Sequence, residues 1–113
     1  MNTVTLSVAT RDQVNARFLA AAQGVPQGSH ISFATIELLW NTLAPKRWEL
    51  LLAMTGQGVL SIREVARRVG RDVKAVHGDV TTLIKAGVID RQDGGVIFRY
   101  DGVHVDFVLG MAA

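Results

Sequence analysis

Apolar residues recur at helical spacing through the stretch from Ser61 to Ala86. Ile62, Val65, Ala66 and Val69 follow the i, i+3, i+4, i+7 rule of one helix face. Past Gly70, the residues Val73, Val76, Val80, Leu83 and Ile84 trace a second stripe at the same period. Ser61 and Glu64 stand at capping-box spacing, and Asp72 offers an acceptor to the free amides of the second helix. The pattern predicts two amphipathic helices joined by a tight turn at Gly70 to Asp72.

The remaining elements are read from the same patterning. Thr3 to Ala9 alternates and is rich in β-branched residues, which predicts a strand. Thr10 is placed to cap a helix from Arg11 to about Gln23, with Val14, Phe18, Ala21 and Ala22 on its inner face and Gly24 as its stop. Val25 to Ser29 reads as a loop, and His30 to Ala34 as a short strand returning beside the first. Thr35 starts a helix to Leu43 with Ile36, Leu39, Trp40 and Leu43 inward. Pro45 opens the next, to about Thr55, with Trp48, Leu51, Leu52 and Met54 as its buried set. Both tryptophans are expected in the core. Val59–Leu60 reads as a short strand, and the runs Val88–Gln92 and Val96–Tyr100 flank Asp93–Gly94–Gly95 as a hairpin. Val103 to Leu109 alternates once more.

The fold class expected is α+β, mostly helical. Residues 1–34 form a strand–helix–strand arm, suited to dimerisation or partner binding or simply packed on the main domain. Residues 35–113 form that main domain. With 49% apolar residues the chain has ample material for a core, and no cysteine is present to form a disulfide or thiolate metal site. No apolar run approaches the roughly 18 residues of a membrane span, and no signal-peptide layout opens the chain, so a cytoplasmic protein without membrane contact is expected.

Net charge is only +2, but it is unevenly spread. Residues 46–100 hold ten basic and six acidic side chains, a net of +4, while residues 1–45 balance and residues 101–113 carry −2. The excess lies on the segment containing the paired helices, where phosphate contacts would need it. His30, His77 and His104 are far apart, and no Gly-rich phosphate loop occurs, so neither a metal, a cofactor nor enzymatic catalysis is expected.

The order helix, helix, short strand, helix, helix, hairpin is that of a winged helix-turn-helix, with the hairpin as wing. From Leu43 to Tyr100 the chain resembles the winged helix-turn-helix transcriptional regulators of bacteria and archaea. The resemblance lies in a Pro-Lys-Arg helix start, a Ser-Ile-Arg-Glu-Val-Ala helix, a Gly-Arg-Asp-Val-Lys-x-Val-His-x-Asp-Val second helix and a Leu-Ile-x-x-Gly-Val-Ile lead into the wing. It is most similar to small DNA-binding regulators of the antitoxin type. Two departures stand out: Ala44 where a Ser or Thr cap would precede the proline, and Gly78 where a longer, often basic side chain is common.

The resemblance implies a sequence-specific regulator, a repressor, that lays the second paired helix in the major groove of double-stranded DNA. Two half-sites raise affinity and specificity together, so a homodimer is expected, joined through the arm at 1–34 or the terminal strand at 103–109. The alternatives are an antitoxin that also represses its own operon, with a toxin protein as partner, and a winged helix used only for protein assembly. On the second helix, Lys74, His77, Gly78 and Thr81 form the reading ridge, with Lys85 outward beyond them. Arg71 at the helix start, with Arg63, Arg67, Arg68, Lys46 and Arg47, are the backbone-phosphate candidates. Arg91 and Arg99 flank the wing. Asp79 does not suit a DNA face and is expected to turn toward a basic residue of the preceding helix.

Overall fold

The first strand of the chain is the middle strand of its larger sheet. The computed structural model describes residues 2–9, 11–24 and 29–107, and of residues 11, 14, 17 and 21 the backbone alone. Strand β1 (Thr3–Val8) leads through helix α1 (Arg11–Ala22) to β2 (Ser29–Phe33), which returns parallel to it. On its other edge β1 pairs, again in parallel, with β5 (Gly102–Asp106), from Thr3 opposite Gly102 to Ser7 opposite Asp106. The order is therefore β2-β1-β5. Asn2 and Asp101 fasten the start of the pair: the Asn2 amide donates to the Asp101 carboxylate at 2.8 Å, and the Asp101 amide to the Asn2 carbonyl at 2.6 Å.

Between β2 and β5 run four helices and a hairpin: α2 (Ile36–Thr42), α3 (Pro45–Met54), α4 (Ile62–Val69), α5 (Val73–Lys85), β3 (Asp90–Gln92) and β4 (Gly95–Ile97). Thr35 caps α2, its hydroxyl accepting from the Leu38 amide at 3.1 Å. Helix α3 begins with Pro45 in its first turn, where no amide donor is missed, and Ala44 adds no side-chain cap. Strands β3 and β4 are antiparallel, and Leu60 joins them through a pair of backbone bonds to Val96, at 2.9 and 2.8 Å. That contact requires glycine at 95. A Cβ there would lie 2.0 Å from the Leu60 carbonyl oxygen, at a φ of +153°.

One core joins these parts. Val4 and Leu6 of β1 are fully buried in it beside Leu39, Leu50, Met54, Val65, Val76, Val80 and Leu83 of the helices and Val96 of the hairpin. Segment 1–34 thus contributes buried side chains to the same core as α3, α4 and α5.

Several expected faces are turned differently. Trp40 and Trp48 are not core residues; they are 43% and 48% exposed. Leu52 is 77% exposed, while Leu50, absent from the expected buried set, is fully buried. Helix α3 is apolar at Trp48 and from Leu50 to Met54, so nearly every direction carries an apolar side chain and periodicity alone cannot say which one meets the core. Val73 is exposed because it occupies the first turn of α5, with no earlier turn beside it. Phe18 and Leu19 of α1 are also exposed, against the expected inner position of Phe18. The cap at Thr10, the loop at 25–28, the inner faces of Val14 and Ala21, and the end of the last strand at Leu109 lie outside the described residues.

Candidate functional site

Helix α4 starts where Ser61 accepts from the Glu64 amide at 3.1 Å. The Glu64 carboxylate turns down the helix to Arg67, at 2.7 and 2.6 Å, and Arg68, at 2.7 Å. Those bonds, Arg67's first, hold the Glu64 carboxyl at about 2 against an ordinary 4.5 and raise the Arg67 guanidinium in turn. Arg68 also donates to the Gln57 side chain at 2.7 Å. The helix stops at Gly70, whose φ of +67° is left-handed. There the Arg71 amide donates back to the Ala66 carbonyl at 3.1 Å, closing the last turn. Asp72 then caps α5, accepting from the amides of Lys74 at 3.0 Å and Ala75 at 3.3 Å. Two residues, Arg71 and Asp72, separate the Gly70 stop from the first turn of α5.

Helix α5 has a fully buried side at Val76, Val80 and Leu83. At 3.6 residues per turn, Lys74, His77, Gly78, Thr81 and Lys85 fall on a strip along the opposite side. Lys74, His77, Gly78 and Lys85 are exposed, and Thr81 is half-buried. The Thr81 hydroxyl donates to the His77 carbonyl at 2.8 Å, so toward solvent it can offer a methyl or an acceptor lone pair, not a donor. Gly78 has open space around it: a Cβ would meet nothing within 4 Å. The strip therefore has a dip at its centre, where backbone is uncovered between two cations.

The arginines divide into bound and free. Asp79, on the flank of α5, accepts from Arg47 of α3 at 3.2 Å and from Arg71 of the turn at 2.7 Å. All three side chains are largely buried, at 16, 20 and 18% exposure. Arg47 also donates to the Asn41 carbonyl at the end of α2. The expected partner of Asp79 was a basic residue of α4; its actual partners come from α3 and the turn. Arg47 and Arg71, expected among the phosphate contacts, are here engaged by Asp79, and both guanidiniums lock three elements together behind the strip. Arg67 and Arg68 are likewise held by Glu64, and Arg99 by Asp90 at 2.9 Å and Gln92 at 3.2 Å. Lys46, Arg63, Lys74, Lys85 and Arg91 are exposed and make no ion pair among the described residues.

No group of three or more His, Asp or Glu side chains that could hold a metal occurs among the described residues. Among those residues, too, no helix is long and apolar enough to cross a membrane. A second surface feature lies away from α5. Trp40, Trp48, Leu52, Val103 and Val105 line an open groove of about 750 Å³ between α2, α3 and β5. Its one signal in the sequence is the pair of tryptophans on helices apolar over most of their circumference.

A family profile, HVO_A0114, matches residues 42–105, more than half of the chain. The chain belongs to the HVO_A0114 family. No curated protein and no solved structure matches it. The HVO_A0114 match begins at the last residue of α2 and covers α3, α4, α5, the hairpin and β5 up to Val105. All the cationic candidates from Lys46 to Arg99 fall inside it, whereas β1, α1 and β2 precede it.

Proposed function

We propose that this HVO_A0114 chain is a winged helix-turn-helix DNA-binding regulator, with α4 and α5 as the paired helices, α5 as the reading helix and β3–β4 as the wing. The observation that carries the reading is the outward strip of α5. Lys74, His77 and Lys85 stand free on the side opposite Val76, Val80 and Leu83, while Asp79 is turned aside and neutralised by two arginines. A helix face that is cationic, unpaired and cleared of its own carboxylate suits the acceptor-lined floor and phosphate walls of a major groove. Lys74 and His77 are the base or phosphate contacts, and Thr81 presents its methyl or lone pair. Gly78 lets the helix backbone come close. Arg63 and Lys46 supply phosphate contacts from α4 and α3, and Arg91 from the wing. Repression is the role this mode of binding supports.

The test is fluorescence anisotropy of the protein on the duplex upstream of its own gene, against a scrambled duplex, at rising salt. Log affinity falls linearly with log salt, by about 0.9 for each phosphate neutralised. Lys74→Ala and His77→Ala each weaken specific binding by roughly 1–3 kcal/mol and leave circular dichroism unchanged. Equal affinity for the two duplexes, or a response flat in salt, overturns the reading.

A further inference from the structure

We infer that the β5 edge and the groove beside it are a homodimer surface, on which a second copy pairs its own β5 antiparallel about a two-fold axis at Val105. This deepens the regulator reading by locating the dimer, yet it is measured without DNA. Strand β5 is the end of the order β2-β1-β5, so its outer backbone edge has no strand beside it among the described residues. A bare strand edge is a template for another strand. Residues 103–107, Val-His-Val-Asp-Phe, are self-complementary about their centre. Antiparallel pairing through Val105 sets Val105 against Val105 once, on the axis, and sets Val103 against Phe107 and His104 against Asp106 twice each by symmetry. In that register apolar side chains meet on the groove side, and an imidazole meets a carboxylate on the other. Aromatic-with-β-branched and basic-with-acidic are the favourable cross-strand pairs. No carboxylate faces a carboxylate.

The groove continues this edge. Phe107 already packs edge-to-face on Trp40, with ring centroids 5.5 Å apart. Trp40, Trp48, Leu52 and Val105 are 43, 48, 77 and 37% exposed. Together they form an exposed apolar patch beside the strand edge, the kind of surface that marks an interaction site. Two-fold pairing places the two grooves side by side beneath the joined strands, where Leu52 and Trp48 of each copy are covered. The sheet becomes six-stranded, with β2 at both ends.

Sedimentation velocity without DNA, over a wide concentration range, tests this. The wild type dimerises. His104→Asp sets like charges opposite each other twice and raises the dissociation constant roughly three- to tenfold, by the size of cross-strand pair effects. The double variant H104D/D106H restores an imidazole opposite each carboxylate in the same register and recovers the wild-type constant. Leu52→Lys raises it at least roughly tenfold. The chain has no cysteine, so Val105→Cys under mild oxidation can cross-link only between copies. It forms a disulfide dimer, while Asp93→Cys at the hairpin tip does not. A wild type that stays monomeric overturns the inference. So does a dimer indifferent to His104→Asp that Val105→Cys fails to trap. Because His104, Asp106 and Leu52 are exposed, their variants fold even where Val105→Cys does not.

Discussion

Replacing Asp79 with asparagine separates an arginine that holds the fold from one that holds a ligand. Asp79 receives Arg47 at 3.2 Å and Arg71 at 2.7 Å, and no more than a fifth of any of the three side chains is exposed. At an effective dielectric of about 20, two charges at such distances attract by about 5–6 kcal/mol. Desolvation of the same groups removes most of this, and a hydrogen bond to a charged group nets roughly 1.5–3 kcal/mol. Asparagine keeps the shape but leaves two confined guanidiniums without a counter-charge. The position of Arg71 Nη1, which is buried and already lacks a partner, makes that worse. The expected loss is about 2–4 kcal/mol, or on the order of 10 °C in melting temperature for a chain of this length. Urea unfolding followed by circular dichroism measures it. In a double-mutant cycle with Arg71→Met, the paired loss falls short of the sum of the single losses by about 1–2 kcal/mol. An Asp79→Asn protein within about 0.5 kcal/mol of wild type would refute the clamp and return Arg47 and Arg71 to the set of free cations.

Three further outcomes follow from local geometry. Gly78→Ala stabilises α5 by about 1 kcal/mol, because its Cβ enters open space and a mid-helix glycine is entropically unfavourable; weaker DNA binding by this more stable variant would show that close backbone approach is used. Gly95→Ala unseats the hairpin from Leu60, since its Cβ would stand 2.0 Å from a carbonyl oxygen, and costs at least about 2 kcal/mol in thermal unfolding. Glu64 is a stronger acid folded than unfolded, so its contribution is complete above pH 4.5 and is lost as pH falls toward about 2. Acid titrations of Glu64→Gln are flatter than wild type across that window, and identical curves would rule the cluster out.

The parts of the fold that were legible in the sequence are those set by neighbours in the chain. Ser61, Gly70 and Asp72 announce the ends of α4 and α5 by caps that act over two to four residues, and each cap is in place. Asp93–Gly94–Gly95 announces the hairpin for the same reason. The β1–β5 pairing joins residues about a hundred positions apart, and nothing in Thr3–Val8 names Gly102–Asp106 as its partner. Period-2 alternation predicts a strand without saying whose strand it becomes. Helix α3 fails from the opposite cause. A helix apolar on nearly every side buries whichever face its neighbours reach, and they reach Leu50 in preference to Trp48.

The candidate site was legible as a helix face and illegible as a set of charges. A charge count over residues 46–100 treats ten basic side chains alike, whereas Asp79, Glu64 and Asp90 engage five of them and leave Lys46, Arg63, Lys74, Lys85 and Arg91. Pairing does not alter the net +4 of the segment, so long-range attraction to a polyanion is kept. On the proposed reading, what changes is the number of close phosphate contacts, and the salt dependence of binding would count these. Five free cations limit the slope of log affinity against log salt to about −4.5 per protomer, whereas all ten would carry it to about −9. A slope beyond the lower limit would mean that the arginines of the clamps leave their carboxylates for phosphate on binding. Asp79→Asn would then steepen the slope no further. A slope within the limit that Asp79→Asn does steepen would instead identify the clamp as the device that keeps Arg47 and Arg71 off the DNA.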